Sequence, residues 1–219
     1  MPSGSITILG LGSLLSERSS RTTFPDLENF RLVIVKGYRR TFAHTPSIFH
    51  ERGIANRDTL EMASLSAEPC TTGSFVCTAF EVFDQGMDAF REREEEFELR
   101  MVPYLDLDGA QGGLGMLCVC STDEAYIEAW GSARFERLYL QQGLTTIWRW
   151  PIDSMLRPCA AYLRHCALAA EKMGPHCQTS FLDDTYLVDR VTTVRAYLEK
   201  FPEVLSTLPP PSLCERYGG

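Results

Sequence analysis

The chain is poor in positive charge. Lys and Arg number 21 against 29 Asp and Glu, a formal net charge of −8 with a pI of about 5.1. A chain of that sign lacks the basic surface that displaces counterions from a nucleic acid or an anionic membrane, so neither is expected as a partner. No Cys-x-x-Cys occurs among the eight cysteines, Cys70, Cys77, Cys118, Cys120, Cys159, Cys166, Cys177 and Cys214. Cys118 and Cys120 stand at i, i+2 in an apolar run, where a strand would put them on one face, and that is not a zinc spacing. The four histidines, His44, His50, His165 and His176, form no helix-spaced ligand pair, so a metal site is not expected. Thiols without such patterns read as reduced and mostly buried, in the cytosol. No apolar run approaches the ~18 residues that a membrane span needs. Met1 to Ser5 carries no basic leader, and glycines interrupt the apolar stretch that follows, so the start is a poor secretory signal. Internal repeats and long low-complexity linkers are also missing. These absences point to a soluble, cytoplasmic protein, and the charge is compatible with a small-molecule enzyme.

What is present suits a packed core. Of 219 residues, 44% are apolar and 23% charged, near the globular average. The length predicts one domain over residues 1–219, with 176–219 as a C-terminal helical extension. Ile6 to Leu9 reads as a buried strand broken by Gly10-Leu11-Gly12-Ser13. Residues 16–29 predict a turn or short helix and then loop. Phe30 to Lys36, continued by Tyr38 to Phe42, reads as a strand, and 43–58 as loop. Leu60 to Ala67 and Ser74 to Phe83 read as two strands joined by a turn at Pro69 to Gly73. Asp84 is a plausible N-cap for a helix over about 85–95. Residues 97–105 and 114–121 read as extended, Tyr126 to Gln142 as one or two helical pieces, Cys159 to Met173 as a helix stopped by Gly174-Pro175, and Val191 to Lys200 as another. Pro209 to Pro211 reads as an extended, solvated tail. Strands first, with helices between and after them, argue for a mixed α+β fold.

Three features could carry chemistry. The first lies in Phe90 to Phe97, a run with six acidic or basic residues that looks like a solvated face. At ~100° per residue, with Met87 as origin, Phe90 falls near about −60° and Glu94 near about −20°. Glu94 therefore sits between two apolar residues on the face that seeks the core. Glu92, Glu95 and Glu96 fall at about 140°, 80° and 180°, toward solvent. A buried carboxylate is costly without a partner or a task, and its pKa rises, which suits a group that takes and returns a proton near neutrality. An ion pair with Arg91 or another arginine would be a purely structural account of it. Glu98 would share the face only if the helix ran that far.

The second feature is Gly10-Leu11-Gly12-Ser13-Leu14. The third glycine of a dinucleotide fingerprint is missing, since Leu15 stands there, and no clear βαβ unit follows. A glycine turn after a buried strand can nevertheless present successive N–H groups to a carboxylate or phosphate. The third is Tyr162 at the start of a helix that ends at Gly174, either a core aromatic or a phenol reaching a ligand.

Taken together, these segments resemble the gamma-glutamylcyclotransferase-like superfamily, including its ChaC-type glutathione-degrading branch. Gly10 to Leu14 looks like the family's strand-end Tyr-Gly-Ser loop, Arg93-Glu94 with Phe97 like its Arg-Glu…Tyr segment, and Tyr162 with Gly174 like its late Tyr and helix end. The resemblance spans roughly residues 6–174. It implies a small mixed β-barrel flanked by helices, Glu94 as the catalytic carboxylate, and Gly10, Leu11, Gly12, Ser13, Leu14 and Tyr162 as substrate-binding residues. It also implies a lyase- or acyltransferase-type cyclisation of a γ-glutamyl amide or peptide to 5-oxoproline. No metal or organic cofactor is required by that scheme. Leu11 stands where the family usually has Tyr, and Phe97 lacks a hydroxyl. A non-catalytic binding or interaction module of the same fold is therefore the alternative. A cysteine-nucleophile hydrolase is a further one, although no cysteine has an obvious base beside it.

Overall fold

A computed structural model describes residues 4–83 and 87–218. Its centre is a closed barrel of five strands in mixed order. Strand β1 (Ser5–Gly10) pairs antiparallel with β3 (Glu61–Phe83), Ile8 opposite Phe80, and parallel with β5 (Gln111–Val119), Ile8 opposite Met116. β5 forms a hairpin with β4 (Glu98–Asp106), and β4 runs beside β2 (Glu28–His44). β2 then returns to β3 along most of its length, which closes the ring. The short strands β6 (Arg157–Pro158) and β7 (Thr185–Leu187) extend β3 and β2 in parallel.

The expected turn at Pro69 to Gly73 is not a turn. β3 is a single strand of 23 residues, and β2, at 17 residues, supplies a partner for both of its halves. The register shifts between Lys36 opposite Ser74 and Tyr38 opposite Pro69, so residues 70–73 bulge past Gly37, whose φ is +82°. Pro69 and Gly73, which read as turn punctuation, mark this bulge. A Cβ at Gly73 would lie 2.4 Å from the Tyr38 carbonyl oxygen, so the two backbones can approach only through a glycine.

The helices lie against the barrel. α1 (Glu17–Arg21) follows β1 after a 3-10 turn, with the Ser16 hydroxyl capping it. α2 (Ser47–Glu51) falls inside the stretch expected to be loop, where it buries Phe49. α3 (Met87–Arg93) buries Met87 and Phe90 on one face, and the Asp84 proposed as its cap lies outside the described residues. α4 (Asp123–Trp130), α5 (Ser132–Leu138) and α6 (Ala160–Lys172) come where helices were expected. α7 (Pro175–Asp183), α8 (Val194–Lys200) and α9 (Cys214–Tyr217) follow. The proline tail is not a solvated end: Pro209 is buried, and α9 brings Tyr217 back against α6 at 2% exposure. Among the described residues no helix is long and apolar enough to cross a membrane.

Candidate functional site

A cavity of about 620 Å³ opens at the end of β1, where Leu11 to Leu14 leave the barrel wall. Glu94 and Tyr162 line the same space, so residues from three distant stretches of sequence converge there. Gly10 is not among the lining residues. A Cβ on it would meet Thr78 Oγ1 at 2.5 Å and Leu14 Cβ at 2.7 Å, so Gly10 serves to let the loop fold back over β3. That fold is pinned by the Thr78 hydroxyl, which donates to the Leu14 carbonyl at 2.8 Å.

Glu94 arrives by the helical periodicity. Its N–H still bonds the Phe90 carbonyl at 2.9 Å, so it stays over the buried Phe90 although α3 has ended. Its side chain is 13% exposed, and Arg93 Nε approaches its Oε1 at 2.9 Å. Arg93 Nη2 also donates to the Ser13 hydroxyl at 3.1 Å, and Nη1 donates to the Thr23 hydroxyl. One guanidinium thus joins the carboxylate to the glycine loop. Burial raises the Glu94 pKa above the ordinary carboxylate value, and Arg93 and Arg216 partly offset this.

Tyr162 stands on the first turn of α6, packed against Phe49 with ring centroids 4.9 Å apart. Its hydroxyl comes so close to Gly12 that a Cβ there would be 2.5 Å from it. Burial drives its pKa far up, against opposing hydrogen bonds from the Ser13 backbone and the Ser64 side chain. The phenol is therefore a neutral group seated on the loop.

Periodicity failed for the two carboxylates after Glu94. The chain leaves helical geometry at Arg93 and turns into β4, so Glu95 and Glu96 point inward where solvent was expected. Glu95 takes the Tyr126 hydroxyl at 3.0 Å and Arg134 Nη2 at 2.5 Å. Glu96 is 5% exposed, accepts from the Tyr139 hydroxyl at 2.8 Å, and lines the cavity. Burial, opposed by that hydrogen bond and reinforced by Glu95 and Glu94, pushes its pKa to about 7. Asp123 supports this corner from below. It accepts from the Ile147 and Trp148 N–H groups at 3.0 and 2.9 Å, and Trp148 Nε1 donates to the Glu96 carbonyl at 3.1 Å.

Sequence reading also missed Arg52, Arg216 and Tyr217, which line the cavity from the end of α2 and from α9. Nothing in their local sequence separates them from surface residues, because the tertiary return of the tail brings them in. Leu11 and Phe97 line the cavity without a hydroxyl, as their side chains dictate. Cys118 lines it too, but burial and the nearby Glu94 hold its thiol well above the ordinary pKa. It is therefore protonated and a poor nucleophile.

No family model and no curated protein sequence matches the chain. Solved structures do. A glutathione-specific gamma-glutamyl cyclotransferase from yeast superposes with a TM-score of 0.51 at 12% identity, over 93% of this chain and 96% of that one. An uncharacterized human protein matches with a TM-score of 0.45 at 10% identity, over 62% of this chain and 87% of the other. A structure described as gamma-glutamyl cyclotransferase matches with a TM-score of 0.42 at 9% identity, over 61% and 86%. The chain has the gamma-glutamylcyclotransferase-like fold, as its sequence motifs led one to expect.

Proposed function

We propose that this gamma-glutamylcyclotransferase-like barrel is an enzyme that cyclises a γ-glutamyl amide or peptide, glutathione among them, to 5-oxoproline. The observation that carries the reading is Glu94. A carboxylate with a raised pKa lines the cavity where the Gly12 loop and Tyr162 meet, and Arg93 ties it to that loop.

The substrate's α-carboxylate would lie on main-chain N–H groups of Gly12 to Leu14, next to the Tyr162 phenol. Its α-ammonium would face Glu94, which removes a proton so that the nitrogen can attack the γ-carbonyl carbon. A new carbon–nitrogen bond closes the five-membered ring, and the bond to the leaving nitrogen breaks. Two protons leave the α-nitrogen over the reaction and two arrive on the released amine, with Glu94 as the carrier. Holding amine and carbonyl of one molecule in contact supplies much of the rate, since effective molarities on the order of 10⁵–10⁸ M are reached by well-oriented internal reactions. The eight free thiols fit a reducing compartment such as the cytosol.

The test is 5-oxoproline release from glutathione and from γ-glutamyl amino acids. Glu94→Gln is expected to lower kcat by about 10²–10⁴-fold, the usual worth of general acid–base catalysis, while the melting temperature holds. Undiminished turnover in that variant would sink the assignment. A second reading, a barrel that binds such ligands without turning them over, draws on Leu11 and Phe97, which leave the cavity short of two phenols. It predicts ligand binding with no 5-oxoproline from the wild-type protein.

A further inference from the structure

Five arginines line the cavity: Arg52 just after α2, Arg93 from α3, Arg134 and Arg137 from α5, and Arg216 from α9. Arg93 and Arg134 each have a carboxylate in contact, Glu94 at 2.9 Å and Glu95 at 2.5 Å. Arg52 Nη1 donates to the Tyr217 hydroxyl at 2.5 Å, with the guanidinium 5.8 Å from the ring centroid. Arg216 is half-buried beside it, and the Tyr217 side chain also bonds it. Neither Arg52 nor Arg216 forms an ion pair with any described residue. Two like charges gathered beside one cavity repel each other and lose hydration, and an anion bound between them relieves both costs. Burial, Arg52 and Arg93 together lower the Arg216 pKa, which is the same crowding seen from the titration side.

We propose that Arg52 and Arg216 form an anion subsite, completed by the folded-back tail, that holds a carboxylate carried on the departing amine of the substrate. The leaving-group assignment rests on the cyclisation reading, whereas the anion subsite rests on the arginine geometry alone. It gives α9 a function: Tyr217, buried against Tyr162 and His165 with centroids 6.5 and 5.7 Å away, anchors the segment that presents Arg216.

The discriminating pair is L-γ-glutamyl-L-alanine and γ-glutamylethylamide, which differ by the alanine carboxylate. The expected ratio of their kcat/KM values in the wild-type protein is about tenfold or more, the usual worth of a charge-assisted contact. Arg52→Gln and Arg216→Gln should each bring the ratio toward unity, and Arg216→Lys should retain part of it. The ratio is the readout because Arg216 also acts on Glu94, which would change both rates together. A wild-type ratio near unity, or one unmoved by both glutamine variants, overturns the subsite and leaves the cyclisation reading standing. Absence of 5-oxoproline from both of these substrates and from glutathione overturns the cyclisation reading instead. The subsite is then decided by ligand-observed NMR with N-acetylalanine, which keeps the carboxylate and lacks the γ-glutamyl group. Binding weakened by about tenfold in Arg216→Gln supports the subsite; equal binding, or none to the wild-type protein, overturns it.

Discussion

Arg93 donates to the Ser13 hydroxyl at 3.1 Å, and so fastens the end of α3 to the loop that leaves β1. The same side chain meets Glu94 at 2.9 Å with only 17% of its own surface exposed. A surface ion pair of this length would be worth little. Here the guanidinium both holds the loop in register with the carboxylate and favours that carboxylate's ionised form against burial.

Replacing Arg93 by Gln is therefore expected to cost about 10²-fold in kcat/KM, as loss of positioning commonly does. It should also move the pH profile. Arg93 opposes the rise that burial gives the Glu94 pKa, so its removal lets that pKa climb further. A base must be ionised to act, so the acidic limb of kcat/KM shifts to higher pH. A profile that falls in height without moving would mean that Arg93 only packs the loop.

How far the site could be read from sequence follows from where helical and extended periodicity stop. Glu94 was legible because Phe90 is buried and lies four residues back on the same helix face. β1, its glycine loop and Tyr162 were legible because a buried run, a break and a helix start are local signals. Glu95 and Glu96 were misread because α3 ends at Arg93, and the turn into β4 follows no period. The continuity of β3 was hidden because its bulge carries the residues of a turn, and only pairing with β2 distinguishes the two. Arg52 and Arg216 were invisible for a stronger reason. They enter the site through contacts of Tyr217 with Arg52 and Tyr162, separated from it by 165 residues in the first case.

Glu96 gives a stability prediction whose sign is fixed by linkage. Its pKa is raised from the ordinary 4.5 to about 7 in the folded chain. Between those values the unfolded chain has already released the proton that the folded chain keeps. Stability is then greatest on the acidic side and falls as pH rises from about 4.5 to about 7. The full drop is on the order of 3 kcal/mol. Glu96→Gln should flatten this part of the curve. Urea midpoints measured at pH 4.5, 6 and 7.5 decide it, and a slope equal to that of the wild-type protein would count against the buried state of Glu96.

The contact between Gly12 and Tyr162 offers a test by paired substitution. A Cβ at Gly12 would stand 2.5 Å from Tyr162 Oη, but 3.6 Å from Cζ and 3.4 Å from Leu65 Cδ2. Of these atoms the oxygen alone lies closer than 3.0 Å. Gly12→Ala should destabilise by about 1–3 kcal/mol through overpacking. Tyr162→Phe should cost about 1 kcal/mol for the hydrogen bonds it gives up. In the double variant the new methyl group enters the space that the hydroxyl vacates, so the two costs should fall short of their sum by about 1 kcal/mol or more. Chemical denaturation of the four proteins measures this coupling. Simple additivity would mean that the loop moves away from α6 when crowded, and that the phenol is not what fixes the loop's position over Glu94.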